Sequence, residues 1–123
     1  MIDLGISGLV ASFTAEYSLA FELIGGVAIR IETECVVAGT GVQAATLDVG
    51  SGGLEEKWRV FFSRREVERV CVDRDFGSLM MEFDSGWILK VLPSGDFEAW
   101  MVAWPDSAVL VALPGGGTSY WSA

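Results

Sequence analysis

The sequence predicts an α+β domain. It is mainly an antiparallel, curved sheet built from two repeated three-stranded meanders plus a C-terminal hairpin, with one helix packed across it. Three observations predict this. Residues 18–31 and 78–91 match at a constant offset of 60: Ser18/Ser78, Leu19/Leu79, Glu22/Glu82 and Gly26/Gly86 are identical, and Leu23/Phe83, Ile29/Leu89, Arg30/Lys90 and Ile31/Val91 are conservative. Val10 and Val70 match at the same offset. Both segments alternate apolar and polar residues with period 2, the mark of a half-buried strand. Only one stretch, at about 54–62, has helical spacing.

In the first meander, Leu9 to Ala15 is the opening strand. Leu19, Phe21 and Leu23 then alternate with Ala20 and Glu22, and Val27, Ile29 and Ile31 alternate with Ala28, Arg30 and Glu32. Gly25-Gly26 supplies the positive φ angles of a two-residue turn. The second meander opens at Glu66 to Asp73 and turns at Ser85-Gly86. The repeats span about 9–35 and 66–92 of a single domain, 1–123. Residues 38–53 are rich in Gly, Ala, Thr and Ser and read as a loop. In the helix, Glu55 and Glu56 meet the positive end of the dipole, and Leu54, Trp58 and Phe61 share one apolar face. Pro93 to Asp96 is a turn, Phe97 to Trp104 a strand, Val109 to Leu113 another, and Pro114 to Gly117 a turn into Thr118 to Trp121. Met80, Ile88, Trp100, Val102 and Leu110 are apolar where a solvent-facing residue is expected. Strands apolar on both faces need two covers, so the helix covers part and a twin subunit or partner the rest. One strongly curved sheet or a partly closed barrel fits this pattern.

The chain has 123 residues, 17 acidic and 8 basic side chains, a formal charge of −9 and no histidine. Apolar residues make up 51%, which excludes intrinsic disorder. The missing histidine removes the commonest general base, the commonest metal ligand and every imidazole-activated nucleophile. The charge argues against binding nucleic-acid phosphates or an anionic membrane, and it steers a basic partner. Both halves of the chain carry an acidic excess, so the charge belongs to the folded surface. Cys35 and Cys71 lack CxxC spacing and are expected as strand thiols ahead of a disulfide. No basic segment leads an apolar run, and no apolar stretch reaches the ~18–20 residues of a membrane helix. The expectation is a soluble, cytoplasmic domain with no cofactor.

Chemical motifs are sparse. Gly50 to Gly53 and Gly115 to Gly117 lack the Lys-Ser/Thr of a phosphate loop and read as turns. Asp73, Asp75, Asp84, Asp96 and Glu98 sit at strand ends, without the dense loop that Ca²⁺ requires. Paired carboxylates can do acid–base work when burial separates their pKa values, yet exposed turn acids are the simpler reading. Lys57 and Lys90 leave Ser-Lys catalysis formally open, but no SxxK spacing occurs. Five tryptophans are many for this length, and tryptophan is enriched at binding hot spots. Trp58 and Trp87 fall on core faces. Trp100 and Trp104, facing away from Phe97, Ala99 and Met101, belong either to an interaction patch or beneath the helix.

The run from Val72 to Val91, then Asp96-Phe97-Glu98-Ala99-Trp100 and Leu113-Pro114-Gly115-Gly116-Gly117 ahead of Trp121, resembles a family of small bacterial domains of unknown function, commonest in actinobacteria. Glu16 to Leu19 and Arg30 to Glu32 extend the resemblance into the first half. Thr118-Ser119-Tyr120 departs from the Glu-Leu-Ala more usual before the last Trp, which puts the end of the final strand in doubt. The resemblance implies no catalytic residues. Some small acidic domains of this sort resemble immunity proteins, the antitoxins that neutralise basic toxins. The expectation is a non-catalytic protein-binding module of that kind, contacting a basic protein through Asp73, Asp75, Asp96, Glu98, Trp100 and Trp104. The alternative is a small apolar-ligand-binding or homo-oligomeric assembly domain, a homodimer for instance, using the concave side of the sheet.

Overall fold

The computed structural model describes residues 1–49 and 54–122. It is an α+β fold, an open, curved, antiparallel sheet with one helix packed on it. In chain order the strands are β1 (Ile2–Asp3), β2 (Gly8–Ala15), β3 (Leu19–Leu23), β4 (Ala28–Ile31), β5 (Cys35–Gly39) and β6 (Val42–Leu47). Helix α1 (Glu56–Ser63) precedes β7 (Glu66–Asp73), β8 (Ser78–Phe83), β9 (Ile88–Val91), β10 (Trp100–Ala103), β11 (Val109–Ala112) and β12 (Thr118–Trp121). Across the sheet they run β12-β11-β10-β4-β3-β2-β7-β8-β9-β5-β6, with β1 beside β7.

The registers of the two meanders coincide. Leu19 faces Ile31 and Phe21 faces Ile29 in the first, and Leu79 faces Val91 and Met81 faces Leu89 in the second. Their opening strands correspond at a different spacing. The bulge between Val10 and Ser12 recurs between Val67 and Arg69, 57 residues on, and Val10 faces Leu23 as Val67 faces Phe83. Val10 is therefore equivalent to Val67, not to Val70. The two repeats join where β2 pairs with β7, and Leu9 faces Glu66 there. Those two residues are themselves 57 apart, so a local two-fold axis passes through the pair.

Both hairpins turn through three residues, one more than the sequence suggested. The Leu23 amide donates to Val27 O at 2.9 Å and the Phe83 amide to Trp87 O at 2.8 Å. Trp104 to Ala108 and Leu113 to Gly117 close in the same way. Such loops place their last residues in the left-handed region. Gly26 (φ 97°) occupies that position without steric cost, while Ser107 (φ 74°) fills it with a side chain.

Three further expectations are corrected. Residues 35–47 form a hairpin where a loop was read from 38, and residues 50–53 of that reading lie outside the described chain. The Gly and Ala of this hairpin are poor strand formers, yet β5 is paired on both sides. Gly39 is required there, because a Cβ would sit 2.8 Å from the Trp87 ring. The strand expected from Phe97 begins only at Trp100, since β4, its partner, ends at Ile31. Trp100, Val102 and Leu110 face the core and are buried. The opposite face of these strands carries Met101, Ala103, Val109 and Val111, the last itself buried, so both faces are indeed apolar there.

The core lies on the concave side under α1. Helix α1 has eight residues, too short to persist in water alone. Phe62 anchors it, fully buried, with its ring 5.2 Å from Phe13, 5.4 Å from Phe21 and 5.8 Å from Phe83. Leu54, Trp58 and Phe61, the expected face, are half-buried around it. Arg59 Nη2 donates to Ala15 O at 2.6 Å and latches the helix to the end of β2. No helix among the described residues is long and apolar enough to cross a membrane. Cys35 and Cys71 are free and buried on strands. Burial, followed by the charge of Glu34, pushes the Cys35 thiol from its ordinary 9.0 up to about 12.

Replacing Phe62 with Ala is expected to lower stability by about 3–5 kcal/mol, read by urea or thermal unfolding, whereas Val60→Ala, at an exposed position of the same helix, stays within about 0.5 kcal/mol. Ser107→Gly is expected to raise stability by about 0.5–1 kcal/mol by relieving the left-handed strain. The Cys35 thiol is held protonated by the fold, so its contribution is complete below the ordinary thiol range and is lost as pH climbs from 9 towards 12. Unfolding midpoints measured across that window should fall less steeply in Cys35→Ala than in the parent.

Candidate functional site

Three loops meet at one end of the sheet: 74–77 after β7, 92–99 before β10, and 113–117 between β11 and β12. The sequence builds each for the others. Asp73 Oδ1 accepts the amides of Asp75 (3.1 Å) and Phe76 (3.0 Å), which coils the first loop. Gly77 follows at φ 97°, and a Cβ there would lie 2.8 Å from Gly117 O. Only glycine allows these two backbones to touch. The Gly117 amide donates to Phe76 O (3.1 Å), Thr118 Oγ1 to Arg74 O (3.1 Å), and the Gly115 amide to Ser94 O (2.8 Å). Ser94 Oγ in turn accepts the Asp96 amide at 3.1 Å.

Trp100 fastens this junction from beneath. Its Nε1 donates to Gly77 O at 2.8 Å, and the side chain is fully buried. It is thus a structural peg and is withdrawn from the contact set, because a buried indole offers no surface. Trp104 is half-buried against the core, 6.2 Å from the Tyr120 ring, at the other end of β10 from Glu98. It does not join the loop cluster. Asp73 is half-buried and engaged in its own turn, while Asp75, Asp96 and Glu98 are exposed.

The topology also gathers carboxylates that the sequence reading missed. Glu98, Glu32, Phe97, Arg30 and Met101 line one depression, and Glu32, Glu34, Asp48 and Phe97 line the next. Phe97, 44% exposed, lies between acids from three separate segments. Asp73 and Asp75 line a third depression with Met1, Ile2, Arg74 and Thr118. The signal for Glu32 was the β4–β10 pairing, which sets Ile31 opposite Trp100 and lets the Glu32 amide donate to Ala99 O at 2.8 Å. Periodicity within either strand cannot reveal that pairing.

Four of the eight basic side chains are engaged elsewhere, while Arg74 stands exposed in the first loop itself. Arg65 pairs with Asp84 at 3.6 Å, and Arg69 lies 3.6 Å from Asp3 and 3.3 Å from Glu82. Arg59 is held on Ala15 O and Lys57 on Glu55. At the loop end Arg30 lies 3.8 Å from Glu32, and Glu34, Asp96 and Glu98 have no ion pair among the described residues. The loops also leave Phe76, Leu92, Phe97 and Leu113 exposed. Exposed acids beside exposed apolar side chains can attract a basic surface at long range and then exclude water from it. Among the described residues no charged side chain is buried, and no three metal-binding groups converge.

No curated protein and no solved structure matches the chain. Residues 5–122, which include every strand but β1 together with the helix and all three loops, match the Family of unknown function (DUF6188). The chain belongs to that family.

Proposed function

We propose that the chain is a non-catalytic protein-binding module, most concretely an immunity-type inhibitor that neutralises a basic toxin in the cytoplasm. The observation that carries this is the loop end of the sheet, where Asp75, Asp96 and Glu98 stand exposed beside Phe76, Leu92, Phe97 and Leu113. The three loops are locked by backbone bonds, so the surface is preorganised and association needs little ordering. The formal charge of −9 supplies steering towards a basic protein. A site built for phosphates presents Lys and Arg, and a rigid acidic surface with apolar side chains among its carboxylates suits it. Phe13, Phe21, Phe62 and Phe83 occupy the concave side, which favours surface binding over enclosure of an apolar ligand.

The test passes lysate of the native host over the tagged protein at low and then high salt. One basic protein should be retained at low salt and released at high salt, and stoichiometric addition of this chain should abolish its toxic activity. Reversing charge with Asp96→Lys and Glu98→Lys should slow association about tenfold with little change in dissociation. Both side chains are exposed, so the melting temperature should hold. Retention that ignores salt and both substitutions, or no retained protein, overturns the inhibitor reading.

A further inference from the structure

The outer face of the first repeat is hollow where that of the second is filled. β2, β3, β4 and β10 set Thr14, Ala20, Arg30 and Met101 in one row across the strands, and Glu22, Ala28 and Ala103 follow Ser12 in the next. The short side chains of both rows floor a depression of about 260 Å³, lined also by Glu22 and Arg30. Arg30 and Met101 line as well the depression of about 400 Å³ that holds Glu32 and Glu98. Glu32 and Phe97 in turn line the one beyond it, with Glu34 and Asp48. The three share walls and form one trough, running from β2 across β3 and β4 to Phe97 and the 33–34 connection.

The second repeat shows what closes such a trough. In the equivalent register Arg69 stands where the first repeat has Ser12, Cys71 replaces Thr14, Met80 replaces Ala20 and Ile88 replaces Ala28. Arg69 lies 3.3 Å from Glu82 and compensates its charge. The counterpart of that acid, Glu22, faces only Ser12 and has no ion pair among the described residues. One backbone plan thus carries a filled, neutralised face in one repeat and an open, charged face in the other. Along the trough Glu22, Glu32, Glu34, Asp48 and Glu98 stand against Arg30, the only base that lines it among the described residues.

We infer that the trough receives an extended, arginine-bearing segment of the basic partner, laid across the strands with one guanidinium over Phe97. This deepens the inhibitor reading and rests on it for the partner's charge. Charge complementarity selects the occupant, since carboxylates along the whole trough attract cations and repel an acidic surface. The span suits a short segment. Strands lie about 4.8 Å apart, so β2 to β10 covers roughly 14 Å, about four residues of extended chain. Ala20 and Ala28 are half-buried and leave room for short side chains between the cations. Phe97 is 44% exposed, with acids on either side of it. A guanidinium is flat enough to stack on that ring while its N–H groups bond the carboxylates beside it, and an ammonium lacks both the plane and the fork. Arg30 rests on Glu32 only through an exposed pair at 3.8 Å, which is weak, and it competes with the incoming cation.

Fluorescence anisotropy at low salt, with a labelled peptide of alternating Arg and Ala about six residues long, tests it. The parent should bind the peptide, and Phe97→Ala and Glu98→Gln should each weaken binding about fivefold or more. Asp75→Asn removes an equal charge outside the trough and should change binding by less than about twofold. Arg30→Ala should tighten it about threefold, whereas Arg74→Ala, the same charge change at the other depression, should not. The peptide should bind about threefold tighter than its Lys-Ala counterpart, a preference that Phe97→Ala abolishes. A parent that does not bind the peptide overturns the inference, and so do losses that Asp75→Asn matches. A basic host protein held equally by the parent and by Phe97→Ala overturns the trough and leaves the inhibitor reading standing. Peptide binding with the expected pattern, but no basic protein retained from lysate, keeps the trough and overturns the inhibitor reading.

Discussion

The fold depends on the burial of Phe62. The two repeats share only a short ladder, Gly8 with Val67 and Leu9 with Glu66, together with the neighbouring bonds from Val10 and Leu4. Net hydrogen-bond energies are modest, so this seam alone would let the halves of the sheet hinge. Phe62 closes the angle between them. Its ring touches Phe21 from one repeat and Phe83 from the other, and Trp58, Phe61 and Phe13 enclose it. The helix is too short to exist for its own sake and serves as the carrier of that ring. Placement of α1 and the closed concave side follow from this contact, and the curvature it favours is held as well by the bonds of Gly117, Thr118 and Trp100 to the 74–77 loop.

How much of this was legible depended on whether a strand has one wet face. β3, β4, β8 and β9 do, and their alternation gave the strands and their inward faces, while the register was one residue off because each turn holds three residues and not two. β5 and β6 could not be read, because Gly39, Thr40 and Gly41 are turn formers and Ala44 and Ala45 weak strand formers. Their structure comes from neighbours, with Val37 fully buried and Gly39 lying against Trp87. Trp100 misled for a related reason. In a strand apolar on both sides, pattern alone does not say which side faces inward, and the hydrogen bond to Gly77 that settles the matter spans distant parts of the chain. The candidate site was half legible: Asp75, Asp96 and Glu98 stand out as turn acids, whereas Glu32, Glu34 and Asp48 join them only through tertiary pairing.

Charge is sorted across the molecule as well as summed over it. Arg59, Arg65 and Arg69 are bound up with the helix, β7 and β8, where they satisfy carbonyls and acids of the framework. Exposed pairs of this kind add little stability. Their larger effect is to take positive charge away from the loops. A composition with fewer than half as many bases as acids thereby becomes a surface with a distinctly negative end.

The difference between the two repeats has a consequence of its own. Three residues separate Ala15 from its partner Leu19, and six separate Val72 from Leu79. The longer connection carries Arg74 to Gly77, the loop that reaches across to Gly117 and receives the Trp100 indole. A chain with two equal halves would have two equal ends and no reason to bind through either. Broken symmetry gives this molecule a front: the scaffold is what the repeats still hold in common, and the loop end is where they have diverged.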